Sequence, residues 1–158
     1  MIRDIATLVA ALNSPAMKNR QSAARELGRT GNTSAVPPLI RALSDSHASV
    51  RIEAATALGR LDDAGAVPGL AAALQDPEPV VRAAAISALG RIRDRSAVIP
   101  LIACLSDKDL QVRSGAAEVI GRLGDERAAE ALCALKNDPF LEVRDAAKAA
   151  LARIHKRP

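Results

Sequence analysis

Apolar positions along this chain fall into pairs of short stripes that recur with no insertion or deletion. Leu39, Ile40 and Leu43 form a first stripe, with Leu70, Ala71 and Leu74 and then Leu101, Ile102 and Leu105 as counterparts. A second stripe follows each, as in Val50, Ala54, Ala55, Leu58 and Leu61. Steps of three and four place each stripe on one face of a helix, so every unit predicts two helices. The spacing is constant. Arg20, Arg51, Arg82, Arg113 and Arg144 stand 31 residues apart, as do Leu8, Leu39, Leu70, Leu101 and Leu132. A fixed period of this size marks a solenoid whose units cannot bury their apolar faces alone. One continuous domain is expected over residues 1–158, with repeats 1–31, 32–62, 63–93, 94–124 and 125–158.

Polar columns punctuate the helices. Asn32, Asp63, Asp94 and Asp125 are placed to cap the first helix of each unit, and Pro37, Pro38, Pro68 and Pro100 follow inside its first turn. Ser14, Asp45, Asp76, Asp107 and Asp138 form a second capping column. Three of these precede Pro15, Pro77 and Pro139, so a second helix is expected to start there with proline at its first position. Gly28, Gly59, Gly90 and Gly121 fall before that helix has ended, since Leu61, Ile92 and Leu123 continue its stripe. A recurring helical glycine costs about 1 kcal/mol against alanine, so close approach by the neighbouring repeat is the expected reason for it. At the two ends, Asn19, Thr30, Lys136 and Lys148 replace apolar residues, as outer faces of terminal repeats require.

Composition narrows the class. Hydrophobic residues make up 49% of the chain, yet Phe140 is its one aromatic residue, and Trp and Tyr are absent. A core of Ala, Leu, Ile and Val suits thin helices packed closely. With 22 basic and 18 acidic residues the net charge is +4, too little to hold nucleic acid by charge alone. No apolar run approaches the roughly 18 residues a membrane span needs. The segment Met1–Leu12 reads as the first helix of the array and not as a leader, so a cytoplasmic location is expected.

The pattern AVPPLIRALSD followed by VRIEAATALGRL resembles the HEAT-like repeats of the phycobilisome-lyase type, and the resemblance covers the whole chain. It implies an all-α, right-handed α-solenoid of five stacked two-helix HEAT-like repeats, with first helices on the convex side and second helices lining the concave side. The activity for which that family is named, attachment of bilin chromophores, brings no short motif that maps onto residues here. Fold is implied more strongly than function.

On the second helix, positions one, two, five and nine after the column arginine share a face, which the resemblance makes concave. The ninth is arginine in every repeat: Arg29, Arg60, Arg91, Arg122 and Arg153. One reading is structural, with each guanidinium near a helix C-terminus and its stem laid over apolar neighbours. The other is a ladder that forms a track for carboxylates or phosphates. The binding surface is expected to centre on repeats three and four, where Ala83, Ala84, Ser87, Ser114, Gly115 and Glu118 lie between Arg91 and Arg122. The Arg20 column is read as structural, bonding inter-repeat carboxylates such as Asp63 or Asp94, or helix-end carbonyls.

Catalytic and metal chemistry find little support. Cys104 and Cys133 occupy small apolar positions and are expected as buried thiols, with neither His47 nor His155 placed as a base. Two His and two Cys so scattered do not form a metal site. Asp62–Asp63 and Asp107–Asp109 sit at capping turns. The expected function is therefore a non-enzymatic, monomeric protein-interaction scaffold that needs no cofactor and holds an acidic helix or segment of a partner. A bilin-lyase-like subunit or chaperone is the first alternative. Nucleic-acid binding through the arginine ladder is the second, and it lacks aromatic groups to stack on.

Overall fold

The structure, a computed structural model, describes residues 4–156, so Met1, Ile2 and Arg3 of the expected first helix lie outside the described residues. Ten α-helices and no strand occur among the described residues. They divide into two compact units, the first ending at Ile92 and the second starting at Arg93. The first holds α1 (Ile5–Ala11), α2 (Met17–Leu27), α3 (Val36–Ala42), α4 (Ala48–Leu61), α5 (Val67–Ala73) and α6 (Pro79–Ile92). The second holds α7 (Val98–Cys104), α8 (Leu110–Leu123), α9 (Ala129–Ala134) and α10 (Leu141–His155).

Each first helix packs on the second helix of its own repeat, and second helices pack directly on one another: α2 on α4 on α6, and α8 on α10. The first helices meet the next repeat chiefly through its entry turn, as α3 meets the 3₁₀ turn Ala64–Ala66 and α7 the turn Glu126–Ala128, while the Ile40 side chain of α3 also lies against Gly69 of α5. Within each unit, then, second helices form the tighter side. The apolar stripes predicted from sequence supply the core, except that Ile40, Ala71 and Ile102 are only half-buried. Leu8, Leu27, Leu39, Leu58, Leu70 and Leu89 are fully buried in the first unit, and Leu101, Val112, Ile120, Leu132 and Val143 in the second.

The glycine column explains the tight side. A Cβ on Gly28 would lie 2.6 Å from the Cα of Ala57, and one on Gly59 would lie 2.8 Å from the Cα of Ala88. In the second unit, a Cβ on Gly121 would lie 2.6 Å from the Cα of Ala150. These are approaches of backbone to backbone, which no rotamer change relieves. Ala152, which holds the corresponding place on α10, is exposed. Asn19, Thr30, Lys136 and Lys148 face water, as their departure from the apolar pattern predicts.

Asn32, Asp63, Asp94 and Asp125 each accept the N–H two residues on, and so cap a short 3₁₀ turn that leads into the first helix. The second capping column differs from expectation. The helices begin three residues later, at Met17, Ala48, Pro79, Leu110 and Leu141, so Pro15, Pro77 and Pro139 lie in the connecting turn and not at a first helical position. The reason is local. Asp45, Asp76, Asp107 and Asp138 accept from the N–H of His47, Glu78, Asp109 and Phe140, which closes an Asx turn ahead of the helix. Asp109 alone of these turn residues goes on to cap its helix, accepting from Gln111 and Val112.

Four residues take a left-handed backbone at the same period: Gly31, Asp62, Arg93 and Gly124, with φ of 67°, 53°, 55° and 66°. This column turns the chain out of each second helix. Glycine adopts it freely, whereas Asp62 and Arg93 hold it under strain.

Candidate functional site

Two arginine columns run through the repeats, and their surroundings decide what each can do. Arg20 donates from Nε and Nη2 to the carboxylate of Asp45, at 2.6 and 2.9 Å. Arg51 does the same to Asp76 at 2.6 and 2.9 Å, and Arg113 to Asp138 at 2.8 and 3.1 Å. The remaining Nη1 donates backwards to two carbonyls at the turn before its own helix, for Arg51 those of Asp45 and Ser46. Arg82 and Arg144 make the same carbonyl bonds, to Asp76 and Pro77 and to Asp138 and Pro139. This column is structural, as expected, but its acceptors are the Asx-turn aspartates and not Asp63 or Asp94. A bidentate fork of this kind ties a second helix to the turn of the following repeat. The side chains are nearly closed off from water, 12% and 7% exposed for Arg51 and Asp76.

The forks shift the acids. Arg20 and the His47 N–H hold the Asp45 carboxyl below its usual 3.8, against a smaller opposing effect of burial. Asp138 is lowered chiefly by Arg113. At Asp76 burial is the largest single influence and pushes upward, but Arg51 and the Glu78 N–H together outweigh it. Asp125, bonded by Arg127 at 2.6 and 2.9 Å, is lowered to about 2. A carboxyl whose folded pKa is depressed binds fewer protons folded than unfolded, so its stabilisation is complete above the unfolded pKa and vanishes as pH falls through the folded one. The melting temperature is thus expected to hold steady above about pH 5 and to drop steeply from about pH 4 toward pH 2. Asp138→Asn should lower the plateau and flatten the acid limb. An acid limb unchanged by that variant would show that the forks do not set the pH response.

The second column lies open. Arg29, Arg60, Arg91, Arg122 and Arg153 are all exposed. Arg60, Arg91, Arg122 and Arg153 lie in the last turns of α4, α6, α8 and α10, whereas Arg29 lies two residues beyond the end of α2. Among the described residues, Arg29, Arg60, Arg91 and Arg153 have no carboxylate partner, while Arg122 reaches Glu118 at 3.7 Å. The stem of Arg91 passes over Gly59, its Cδ 3.4 Å from where a Cβ would stand, so the aliphatic part packs while the guanidinium stays in water.

The other expected site residues divide between the units. In the first, Ala83 and Ala84 are half-buried and Ser87 is exposed on α6. In the second, Gly115 is half-buried and Glu118 exposed, but Ser114 is buried, with its hydroxyl in reach of two acceptors, the Gln111 carbonyl at 3.4 Å and Glu142 at 3.5 Å. Arg25, which adds charge to the same face by sequence, is taken up by Glu53, its Nε donating at 3.1 Å. Asp145 lies 3.9 Å from Lys148.

Sequence reasoning missed Arg93 and Arg95, which with Arg122 and Leu123 line a cavity of about 340 Å³ in the second unit. The available signal was an arginine at a position held by glycine in the columns of Gly31 and Gly124. Cys104 is buried as expected, but Cys133 is exposed, in a column that is only half-buried at Val9, Ile40, Ala71 and Ile102. Among the described residues no group of His, Cys, Asp and Glu is placed to hold a metal ion, and no helix is long and apolar enough to cross a membrane.

Comparison with known proteins places this geometry. No curated protein sequence matches the chain. Phycocyanin lyase from Nostoc sp. PCC7120, solved as the complex of CpcE and CpcF, is 29% identical with a TM-score of 0.84. The match covers 99% of this chain and 66% of the lyase chain, so this chain spans just under two thirds of that relative. Computationally designed armadillo repeat proteins for modular peptide recognition match at 25% identity and a TM-score of 0.70, over 96% of this chain and 82% of theirs. A designed armadillo repeat protein in complex with the peptide (KR)4 shares the fold at 21% identity and a TM-score of 0.73, over 95% of this chain and 81% of its own. The sequence profile of HEAT repeats matches residues 5–79 and 67–152. With its helix pairs, capped entry turns and glycine-mediated contacts between second helices, the chain belongs to the HEAT repeat family.

Proposed function

We propose that this chain is a protein-interaction scaffold, its five repeats over residues 1–158 serving as one interaction domain without chemistry of its own. The second-helix face that carries Arg29, Arg60, Arg91, Arg122 and Arg153 receives an acidic helix or extended segment of the partner. One observation carries this reading: the arginines of one column are bound in forks and carbonyl bonds, while those of the other stand exposed, four of them with no carboxylate partner among the described residues. Guanidinium groups that hold nothing in the fold can chelate a partner's carboxylates. The small residues beside them, such as Ala84 and Ser87, leave room for a partner's side chains.

The test is an affinity purification from the native cell with three baits in parallel: the unaltered chain, Arg60→Glu with Arg91→Glu, and Arg41→Glu with Lys108→Glu. Arg41 and Lys108 are exposed but lie off the second-helix face, on α3 and in the turn before α8. Proteins lost with the first variant and kept with the second are the expected partners. Equal recovery with both would remove the arginine face from consideration.

A second reading draws on the 29% identity to phycocyanin lyase. There the chain would act as a subunit or chaperone in bilin attachment, within a complex of two chains. Its one aromatic residue, Phe140, lies under Arg113 with the guanidinium carbon 5.8 Å from the ring centre, and gives a tetrapyrrole little to stack on. A bilin absorbance titration separates the readings: a saturable spectral shift would favour the lyase-like role.

A further inference from the structure

We infer that the cavity lined by Arg93, Arg95, Arg122 and Leu123 is a subsite for a phosphate monoester. Three arginines line about 340 Å³, enough for a phosphoryl group and part of the fragment that bears it. The acids around it are already engaged. Asp125 is bonded by Arg127 at 2.6 Å and lies 4.0 Å from Arg95, and Glu118 is 3.7 Å from Arg122. Arg95 makes one bond, from Nη2 to the Gly124 carbonyl at 3.2 Å, which fixes the side chain and leaves its other donors available. Arg93 has no ion-pair partner among the described residues.

Backbone evidence points the same way. Arg93 holds φ of 55° in a column where Gly31 and Gly124 take the same turn without strain. Strain kept for the sake of an arginine, beside two more arginines and a cavity, fits a charge that is used. A single carboxylate would be satisfied by one fork. Three arginines lining one pocket match the double charge and three acceptor oxygens of a phosphate monoester.

This inference shares Arg122 with the proposed partner face but does not rest on that face, because the probes are small molecules. The experiment titrates N-acetyl-phosphoserine amide, inorganic phosphate and acetate into the full chain, followed by ³¹P and amide NMR. Phosphoserine should bind saturably, and at least about tenfold more tightly than acetate, since each charge-assisted bond lost is worth about a factor of ten or more. Arg95→Gln and Arg93→Gly should each weaken it about tenfold. Arg93→Gly also relieves the backbone strain, so lost binding in a chain that melts no lower cannot be put down to misfolding. Lys148→Gln, which removes one positive charge elsewhere, should leave binding unchanged. Tighter binding of phosphoserine than of inorganic phosphate would identify a phosphorylated side chain as the source. Equal binding would identify free phosphate, and either supports the site. Absence of saturable phosphate binding, or equal weakening by Arg95→Gln and Lys148→Gln, would overturn it.

Discussion

Gly121→Leu is expected to lower the melting temperature of the second unit by about 10 °C or more. The cause is steric. A Cβ at Gly121 would stand 2.6 Å from the Cα and 2.8 Å from the Cβ of Ala150, far inside contact distance. Overpacking a well-filled core costs about 1–3 kcal/mol when side chains can adjust, and here the obstruction is backbone. The loss should therefore be about 3 kcal/mol, and each kcal/mol lowers the melting temperature of a domain this size by roughly 4–8 °C. Two further variants isolate the cause. Ala152→Leu, at the exposed equivalent position on α10, should melt close to the unaltered chain. Ala150→Gly in the Gly121→Ala background should fail to rescue, because the closest atom is the Cα that glycine keeps. Rescue by Ala150→Gly would show that the contact between α8 and α10 is looser than the structure has it.

Breaking the Arg51–Asp76 fork is the second large effect. Both side chains are nearly excluded from water, and Arg51 spans the turn before its own helix and the turn of the next repeat. Removing one member of a buried pair leaves the other charged and unmatched, at a cost of about 3–5 kcal/mol. Arg51→Met should fall in that range. Asp76→Asn should fall near its lower end, since asparagine can still close the Asx turn to the Glu78 N–H while losing the charge. Arg51→Met combined with Asp76→Asn should cost clearly less than the two single changes added, the mark of a coupled pair. Urea titrations followed by helical circular dichroism measure all three. A cost under about 1 kcal/mol for Arg51→Met would place the fork among ordinary surface ion pairs.

These two effects differ in how far the sequence could announce them. The glycine column was legible as a close approach, because an otherwise apolar helix that repeats glycine at one place has few other reasons to do so. Gly28, Gly59 and Gly121 bear that out. The helix pairs, the core leucines and the entry caps at Asn32, Asp63, Asp94 and Asp125 were legible for the same reason: periodicity and capping are local, and the chain repeats them. The fork partner was not legible. Asp45 and Asp63 both offer carboxylates near repeat junctions, and choosing between them needs the distance across packed helices. The same aspartates looked like helix caps with proline behind them, because an Asx turn and an N-cap use the same residue types. Cys133 was misplaced because its column is only half-buried in the other repeats, at Val9, Ile40, Ala71 and Ile102, so an apolar residue type there does not mean a buried one. The arginine face was legible as a pattern, but whether its charges were spoken for depended on contacts such as Arg25 with Glu53. The left-handed turn at Arg93 was hinted at by glycine at Gly31 and Gly124 in the same column, but the pocket it shares with Arg95 and Arg122 required the backbone.

The proposed role divides the labour between the two arginine columns, one holding successive repeats together and the other proposed to meet a partner. Its most direct test is calorimetric titration of the partner recovered by the affinity experiment into Arg60→Glu with Arg91→Glu. Two charge reversals that each remove a charge-assisted contact should weaken binding about a hundredfold or more. The melting temperature should stay within about 2 °C of the unaltered chain, because exposed charges contribute little to folding. Affinity unchanged in that variant, together with a large loss in Arg41→Glu with Lys108→Glu, would contradict the account and leave the second column a structural habit of the repeat.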